Sequence, residues 1–559
     1  MSGENFVSSA DDFADQARPA TSSARETAAH PVSAGTCSAL SGTRLETGLP
    51  GRAGVGRARC TLFDIRSAWP VAAVAAALLL LTILRLALSA VMPLAPDEAY
   101  YWAWSRALAP GYFDHPPMVA LWIFAGTRLA GDTALGIRLL GPLSVALGSV
   151  LLWDAADRLL PGRNAGIVAV SLLNATLLVG VGAIVMTPDS PLLLFWVFAL
   201  WAMARIIAGG SGIWWLAVGL FAGLDFASKY TAMLLALGIG LWLVAAGRPW
   251  LRRREPYAGG AVALLVFMPV MWWNATHEWV SFLRQGMRLD VWAPGRAAQY
   301  LLEFLGGQIA VATPLIFLLC VAGMVVAARS AWRKCDPAWT LLAILSLLPA
   351  LVFAQHAIGD RVQPNWPAIC YPTAAVAAAG LSGRFWLRLR IPAIALGLLI
   401  TGAVYVQAAF SPLSLPSKRD PIALQMRGWQ GLAAMVEDVW RRRGASFVAA
   451  DQYGLAAELA RYLPAAVPVI AIGPRWSSFN LPPAAVDGTT GILVEPDRHA
   501  TPIWPALEEI GTAAREHHGV AIETYRLYRV IPDHSTSAVR LPHPHSASSR
   551  GTVGNPNRP

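Results

Sequence analysis

Two pairs of ionisable residues, each with a carboxylate, follow the first long apolar segment of the chain. Asp97 and Glu98 are adjacent in "PDEAYYWAW", and Asp114 precedes His115 in "FDHPP". A carboxylate in a partly dehydrated site can act as a general base, because burial raises its pKa toward working pH. The alternative for Asp97 is a helix N-cap, with Glu98 favoured by the helix dipole, although capping needs only one of the two. The residues alone leave both interpretations open.

The "FDHPP" motif also has two interpretations. Asp114 and His115 together suit a divalent cation or an anionic head group. The alternative is a turn, in which Asp114 begins the turn and the prolines begin the next helix.

Three further motifs carry polar residues between apolar segments. Thr187 or Asp189 in "TPDSP" suits a helix cap. Lys229 in "FASKY" either extends its charge to the membrane surface or holds a phosphate. In "QHAIGDRVQPNWP", Arg361 could grip a phosphate with two nitrogens and His356 lies nearby, or the segment is simply a polar loop.

The stretch "AYYWAWSRAL" predicts an amphipathic helix in the membrane interface. Tyr100, Tyr101, Trp102 and Trp104 would place their ring bodies in lipid and their polar edges in water.

The composition predicts a polytopic membrane protein. The sequence is 55% hydrophobic and 14% charged, against about 25% charged residues in soluble domains, and its mean hydropathy is +0.47. The net charge of +10 does not indicate nucleic-acid binding, because the basic residues lie between apolar segments. The five cysteines lack metal-site spacing.

About eleven apolar segments approach the roughly 20 residues that span a bilayer. They lie near 69–93, 134–157, 164–185, 189–208, 212–227, 230–247, 257–275, 308–328, 338–355, 366–383 and 391–411.

The positive-inside rule gives these segments an orientation. With the N-terminus in the cytoplasm, every short cytoplasmic loop is basic, including "GRPWLRRREP" and "RFWLRLR". The acidic motifs, Lys229, His356 and Arg361 then share the opposite face.

The remaining chain divides into three parts. Residues 1–65 are polar and predict a disordered tail, and 534–559 predict another. Residues 66–411 form the membrane domain, and 412–533 predict a small α/β domain on the non-cytoplasmic face. Its strands are expected at 446–451, 467–473, 490–496 and 522–531, and its helices at 452–463 and 505–519. No glycine-rich nucleotide fingerprint occurs there, so no nucleotide cofactor is expected.

The order of "PDEAYYWAWSRALAPGYFDHPPMVALWI", "TPDSPLLLFW", "FASKYTAMLL" and "QPNWPA" resembles that in bacterial membrane glycosyltransferases. That group is related to protein O-mannosyltransferases and lipid A aminoarabinose transferases, and it includes the rhizobial galacturonosyltransferase-like proteins. The resemblance covers roughly 70–380, and "RGWQGLAAMVEDVWRRRGASFVAADQYGLAAELARYL" extends it into the C-terminal domain. It is specific for the broad family and not for a sugar.

The resemblance implies the GT-C fold in the bacterial inner membrane, with the active site and C-terminal domain in the periplasm. It implies a polyprenyl-phosphate sugar donor and a lipid or protein acceptor. The expected catalytic residues are Asp97 and Glu98. Asp114 is the candidate ligand of a divalent metal. The donor phosphate is assigned to Lys229, Arg361 and His115, although relatives carry Lys at the position of His115. Substrate binding is assigned to Tyr100, Asp189 and His356.

Two other functions use the same features. A flippase would move a lipid-linked sugar without chemistry, but transporters typically keep ionisable residues near the midplane and show repeated halves. An envelope scaffold would leave the clustered polar residues unexplained. The transferase is the favoured interpretation.

Overall fold

The structure, a computed structural model, describes residues 65–286, 294–413, 420–498, 504, 506–532 and 538–544. The predicted tail at 1–65, apart from its last residue, and most of the predicted tail at 534–559 lie outside these residues. The described residues from Ala72 onward form one compact unit.

Most of the described chain is helical. In chain order the helices are α1 (Ile65–Val91), α2 (Pro96–Arg106), α3 (Met118–Ala130), α4 (Ala134–Arg138), α5 (Leu140–Leu159), α6 (Ala165–Asn174), α7 (Leu177–Gly182), α8 (Asp189–Ile207), α9 (Trp214–Phe226), α10 (Met233–Ala245), α11 (Glu255–Thr276), α12 (Val280–Gly286), α13 (Ala297–Ala312), α14 (Pro314–Lys334), α15 (Pro337–His356), α16 (Tyr371–Ala379), α17 (Arg384–Phe410), α18 (Pro421–Met426), α19 (Trp429–Arg443), α20 (Tyr453–Tyr462) and α21 (Pro474–Ser477).

The helices define a multi-pass membrane protein. Seven helical segments in the described residues are long and apolar enough to cross a bilayer, and they match seven of the predicted spans. The predicted spans at 212–227 and 230–247 correspond to shorter apolar helices. The span predicted at 366–383 is a 3-10 turn followed by the nine-residue α16. The lengths of the described helices therefore support seven membrane crossings and do not test the other four predicted ones.

Two of the predicted spans are each divided into two helices in the structure, and local residues explain both divisions. The segment 164–185 forms two helices, α6 and α7, because Thr176 accepts the Val179 N–H and caps a new helix. The segment 308–328 is divided between α13 and α14. Pro314 begins α14, since proline lacks the amide donor that would continue α13.

The membrane helices share one large apolar core. It joins α5, α6, α8, α9, α10, α15 and α16, with fully buried residues such as Leu152, Trp196 and Leu341. The packing of these helices against one another positions the helix ends that carry the polar motifs.

The C-terminal region is the predicted α/β domain. Its strands are β1 (Phe447–Ala450), β2 (Val469–Ile472), β3 (Gly491–Pro496), β4 (Ala506–His517), β5 (Val520–Val530) and β6 (Ala538–Arg540). They form one sheet in the order β4-β5-β3-β1-β2-β6. The central pairs β1–β2 and β1–β3 are parallel, and the outer pairs are antiparallel.

Two predictions for this region are wrong. The segment 505–519 was expected to be a helix, but it forms β4 and pairs with β5 along most of its length. The tail predicted from 534 contains β6, which pairs with β2. In both places backbone pairing with a neighbouring strand outweighs local sequence preference.

The prediction that α2 lies in the lipid interface is also wrong. Trp102 and Trp104 are fully buried, and Tyr100 and Tyr101 are 2% and 7% exposed. Their apolar cluster continues into the C-terminal domain, including Trp429. The aromatic surface of α2 therefore contacts protein.

A glycine permits the close approach of α2 and α20. A Cβ atom placed on Gly454 would lie 2.7 Å from the Cβ of Pro96. The absent side chain brings the start of α20 against the start of α2, where Asp97 lies.

Candidate active site

The start of α2 separates the two adjacent carboxylates. Ala95 is the N-cap residue, and its N–H donates to Glu98 Oε2 at 2.9 Å. Asp97 makes no capping bond. Its Oδ1 instead accepts the hydroxyl of Tyr453 at 2.8 Å, across 356 residues of sequence. The N-cap interpretation of Asp97 is therefore wrong, and the C-terminal domain completes the surroundings of this carboxylate.

Glu98 has a structural environment. It is fully buried and accepts hydrogen bonds from Arg138 Nε at 2.7 Å and from the Met186 amide at 2.9 Å. Its second oxygen pairs with Arg138 Nη2. These contacts occupy both carboxylate oxygens and exclude solvent. The prediction that Glu98 is catalytic does not fit this geometry.

Asp97 has the environment expected of a base. Solvent reaches the side chain, while neighbouring protein atoms remove part of the hydration of its carboxylate. The resulting loss of hydration raises the pKa of Asp97 above its usual range, and the hydrogen bond from Tyr453 and the charge of Arg475 oppose this rise. Asp97 is thus an accessible carboxylate whose proton affinity is increased.

Asp114 lies close to Asp97 in a cluster of opposite charges. Its Oδ2 accepts the Tyr100 hydroxyl at 3.0 Å. Arg284 Nε lies 3.8 Å from Oδ1, and Arg475 Nε lies 3.9 Å from Oδ2. Tyr100, predicted to bind substrate, thus holds Asp114.

Asp114 does not fit the predicted metal site. The described part of the chain contains no group of three or more His, Cys, Asp or Glu side chains arranged to hold a metal. A divalent cation at Asp114 would also face the charges of Arg284 and Arg475. Asp114 is therefore not assigned as a metal ligand.

A second polar group combines two of the other motifs. Lys229 Nζ donates to Asp189 Oδ1 at 2.7 Å, and Asn365 Nδ2 donates to Asp189 Oδ2 at 2.7 Å. Lys229 and Asp189 are 9% and 8% exposed. Asp189 thus orients Lys229, and "QPNWP" contributes Asn365 to this group.

Backbone contacts bring the two groups to one end of the membrane helices. The Met118 N–H donates to the Ala227 carbonyl at 3.1 Å, which joins the "FDHPP" and "FASKY" segments. The bond from the Met186 amide to Glu98 joins the start of α2 to the "TPDSP" segment. The predicted convergence of these motifs is therefore observed.

The other predicted residues lie in separate contacts. Arg361 forms an ion pair with Glu303, with Nε 2.7 Å from Oε2. His356 lies 4.0 Å from Asp360. The ring of His115 lies edge-on to Tyr101, with centroids 6.4 Å apart. These contacts do not join Arg361 or His356 to the carboxylate of Asp97.

Sequence reasoning missed Tyr453, Arg475 and Arg284 as site residues. Tyr453 and Arg475 belong to the C-terminal domain, and Arg284 lies in α12. Tyr453 stands in "DQYGLAAELARYL", within the segment that resembles the family. The resemblance could have indicated Tyr453 as a site residue, but only the folded structure shows that Tyr453 contacts Asp97.

Glu458 is an unusual carboxylate behind the site. It is 1% exposed in α20, which packs on α2, and both its oxygens lack a hydrogen-bond partner among the described residues. Burial is the largest cause that raises its pKa to about 8; Arg461 opposes this rise and Glu98 adds to it.

We expect Glu458 to make stability fall as pH rises. Its pKa rises from 4.5 to about 8 on folding. Between these pH values the folded protein keeps a proton that the unfolded chain has released, so the free energy of unfolding falls as pH increases across this range. Glu458→Gln should reduce this slope in thermal unfolding midpoints measured in detergent. Glu509→Gln, at an exposed position in the same domain, is the control. Equal slopes for wild type and Glu458→Gln would contradict the expectation.

The fold and site together define a class of protein. A multi-pass helical bundle presents the carboxylate motifs at one end of its helices, and an α/β domain docks on that end through α2. This is the architecture of the GT-C fold that the sequence resemblance implies.

Comparisons with known proteins agree with this class. Residues 114–273 match the sequence model of the dolichyl-phosphate-mannose-protein mannosyltransferase family. The chain is 30% identical over 296 residues to the lipid A galacturonosyltransferase RgtD of Rhizobium johnstonii, which is 52% of this chain and 61% of that protein. The alignment thus spans about three fifths of the relative.

Solved structures show the same fold. The crystal structure of ArnT from Cupriavidus metallidurans bound to undecaprenyl phosphate has a TM-score of 0.55, 16% identity, and coverage of 83% of this chain and 98% of that chain. Its apo form has a TM-score of 0.52 at the same identity and coverage. The resemblance to polyprenyl-phosphate-sugar-dependent membrane glycosyltransferases is confirmed.

Proposed function

We propose that this protein is a glycosyltransferase that moves a sugar from a polyprenyl-phosphate donor to an acceptor of the bacterial envelope. The reaction takes place at the periplasmic face of the inner membrane. The accessible carboxylate of Asp97, with its raised pKa and its bond from Tyr453, is the observation that carries this proposal. The acceptor class is lipid A, by likeness to RgtD, and other glycolipids or proteins are the alternatives to be tested.

The chemistry is substitution at the anomeric carbon. An acceptor hydroxyl attacks that carbon, the bond to the phosphate oxygen breaks, and polyprenyl phosphate leaves with the electron pair. Asp97 accepts the proton of the hydroxyl, and attack from the side opposite the phosphate inverts the anomeric centre. The accessibility of Asp97 supports this assignment, whereas the enclosed Glu98 is left with a structural role.

Lys229 is the proposed cation for the leaving phosphate. An ammonium has three N–H donors, and Asp189 accepts one of them. The remaining donors can contact phosphate oxygens and stabilise the charge that develops as the bond breaks. Asp189 and Asn365 hold the ammonium in position rather than contact the sugar. Arg361 and His356 lie in other contacts and receive no role in this step.

The proposal is tested by following the sugar. Purified protein in detergent is incubated with polyprenyl-phosphate galacturonic acid carrying a radiolabel in the sugar, and with lipid A, other envelope glycolipids or envelope protein. With active protein, label should move from the donor to one of these acceptor classes. Without active protein, no acceptor should be labelled. If no acceptor is labelled with this donor or with other labelled polyprenyl-phosphate sugars, the transferase proposal fails.

Tyr453 is expected to set the acid limb of the pH–rate profile. Its hydrogen bond stabilises ionised Asp97 and therefore lowers the pKa of that carboxylate. Tyr453→Phe should raise the pKa and shift the acid limb of kcat/KM upward by about 0.5 to 1 pH unit, with little loss at alkaline pH. Tyr462→Phe, at the far end of α20, is the matched control. A uniform loss of rate without a shifted limb would contradict this role for Tyr453.

A further inference from the structure

A cluster of three arginines lies outside the candidate active site, at the far end of α2 from Asp97. Arg106 ends α2, Arg128 lies in the last turn of α3, and Arg461 belongs to α20 of the C-terminal domain. Among the described residues, Asp132 is the carboxylate that this cluster contacts. Arg461 Nη1 lies 3.4 Å from its Oδ1, and Arg106 Nη1 lies 3.9 Å from its Oδ2.

The ring of Trp102 holds part of this cluster in place. Its Nε1 donates to Asp132 Oδ1 at 2.7 Å, and the ring is fully buried. The guanidinium groups of Arg461 and Arg106 lie over the same ring, 4.6 and 5.8 Å from its centroid. Two of the three positive charges are therefore fixed at the contact between α2 and α20.

The cluster has more positive than negative charge. Burial is the largest cause that lowers the pKa of Arg106. Asp132 opposes this effect, and the charges of Arg461 and Arg128 add to it. Glu458, one turn before Arg461, is largely protonated at neutral pH because burial raises its pKa to about 8. Among the described side chains, the three arginines and Asp132 leave two positive charges in excess.

The cluster lies at the membrane surface. Asp132 comes two residues before the segment Ala134–Leu159, which is long and apolar enough to cross a bilayer. The 13 residues of α3 are also apolar, but they extend only about 20 Å, against about 30 Å of hydrocarbon. Leu121 and Leu129 on α3 are 41% and 76% exposed. These features indicate a helix lying in the interface, with Arg128 at the level of the lipid head groups.

An anionic phospholipid fits both the charge and the apolar surface. Arginine can hold a phosphate through two parallel N–H bonds, and basic residues beside a membrane favour anionic lipids. A structural ion-pair network would use Arg106, Arg461 and Asp132. It would not need Arg128, which lies 5.0 Å from the ring centroid of Phe124 and forms no ion pair among the described residues.

We propose that Arg106, Arg128 and Arg461 bind the phosphate head group of an anionic bilayer phospholipid, whose acyl chains lie along the exposed leucines of α3. The bound lipid bridges α3 and α20. Tyr453 at the start of α20 donates to Asp97, so the lipid holds the C-terminal domain where it completes the candidate site. This inference concerns the docking of that domain and does not require sugar transfer.

Lipid binding tests the site directly. The purified full-length protein in neutral detergent is titrated with fluorescent phosphatidylglycerol or phosphatidylcholine. Wild type should prefer phosphatidylglycerol, and Arg128→Gln should weaken its binding by about fivefold, the contribution of one basic residue at a membrane surface. Arg128→Lys should retain most of the affinity. Asp132→Asn should strengthen binding, because it removes a competing negative charge while its amide oxygen still accepts the N–H of Trp102.

A matched variant controls for general attraction to anionic lipid. Arg388→Gln removes an exposed charge near the start of the 27-residue α17, whose other end leads to the C-terminal domain. It should bind phosphatidylglycerol as wild type does. The unfolding midpoint of Arg128→Gln should match that of wild type, because Arg128 is exposed. Arg128→Lys is the folded comparison if it does not.

Hydrogen exchange tests whether the lipid holds the C-terminal domain. In nanodiscs, phosphatidylglycerol should slow the exchange of α20 amides in wild type relative to phosphatidylcholine. Arg128→Gln should lack this difference. Phosphatidylglycerol that binds without slowing exchange in α20 would overturn the bridging role.

The binding outcomes do not depend on whether sugar is transferred. Loss of affinity for phosphatidylglycerol in Arg128→Gln, but not in Arg388→Gln, supports the site. Equal binding by wild type and Arg128→Gln overturns it. An equal loss in Arg388→Gln also overturns it, since the attraction would then be nonspecific. Displacement of the lipid by inorganic phosphate alone overturns it as well, because the cluster would then recognise an anion in solution.

Discussion

Asp97→Asn is expected to lower the rate of sugar transfer by about 10²- to 10⁴-fold, the usual contribution of a general base. Asparagine has nearly the same shape, and its amide oxygen can still accept the Tyr453 hydroxyl, so the site should remain assembled. Donor binding should therefore be retained. The measurement is the single-turnover rate at saturating donor, together with donor affinity and the unfolding midpoint.

A matched carboxylate controls for the change of charge. Asp438→Asn removes a negative charge from an exposed ion pair with Arg442 in α19 and should leave the transfer rate unchanged. If Asp97→Asn instead transfers at the wild-type rate, the proton acceptor is another group. If the variant loses donor affinity as well as rate, Asp97 serves binding rather than proton transfer.

Breaking the Glu98–Arg138 pair is expected to have the largest effect on stability. Both side chains are fully buried. Removing one partner leaves a buried charge without compensation, which costs about 3–5 kcal/mol in comparable cases. Arg138→Met and Glu98→Gln should each lower the unfolding midpoint sharply or abolish folded yield. The double variant Glu98→Gln/Arg138→Met should recover part of the loss, because no isolated charge remains.

This prediction also separates structure from catalysis at Glu98. The exposed pair Glu437–Arg441 is the control, and Glu437→Gln should change the unfolding free energy by no more than about 1 kcal/mol. Glu98→Gln protein that folds with wild-type stability but transfers no sugar would contradict the structural role. It would restore Glu98 as a catalytic residue.

The membrane helices could be predicted because their signal is local. An apolar segment of bilayer length must satisfy its backbone polar groups internally, so it forms a helix whatever its neighbours are. Helix ends were less accurate where one residue decides them, as at Thr176 and Pro314. The strands β1, β2 and β3 were also found, because short buried parallel strands form continuous apolar runs.

The errors arose where distant contacts decide the structure. The aromatic residues of α2 fit lipid or protein equally well, and only the docking of the C-terminal domain determines which they meet. The segment that forms β4 has residues compatible with a helix, but β5 supplies a partner strand. Residue type likewise could not distinguish Asp97 from Glu98. Their different environments depend on Tyr453 and Arg138, which are remote in sequence.

The central claim is that the site of Asp97 performs sugar transfer. The most direct test measures both products in one reaction with doubly labelled donor: sugar on the acceptor and free polyprenyl phosphate. Wild-type protein should yield the two in equal amounts, and Asp97→Asn should form both at least about 100-fold more slowly while binding the donor normally. If both proteins bind the donor and move it across a bilayer but never consume it, the protein is a transporter and the account is wrong.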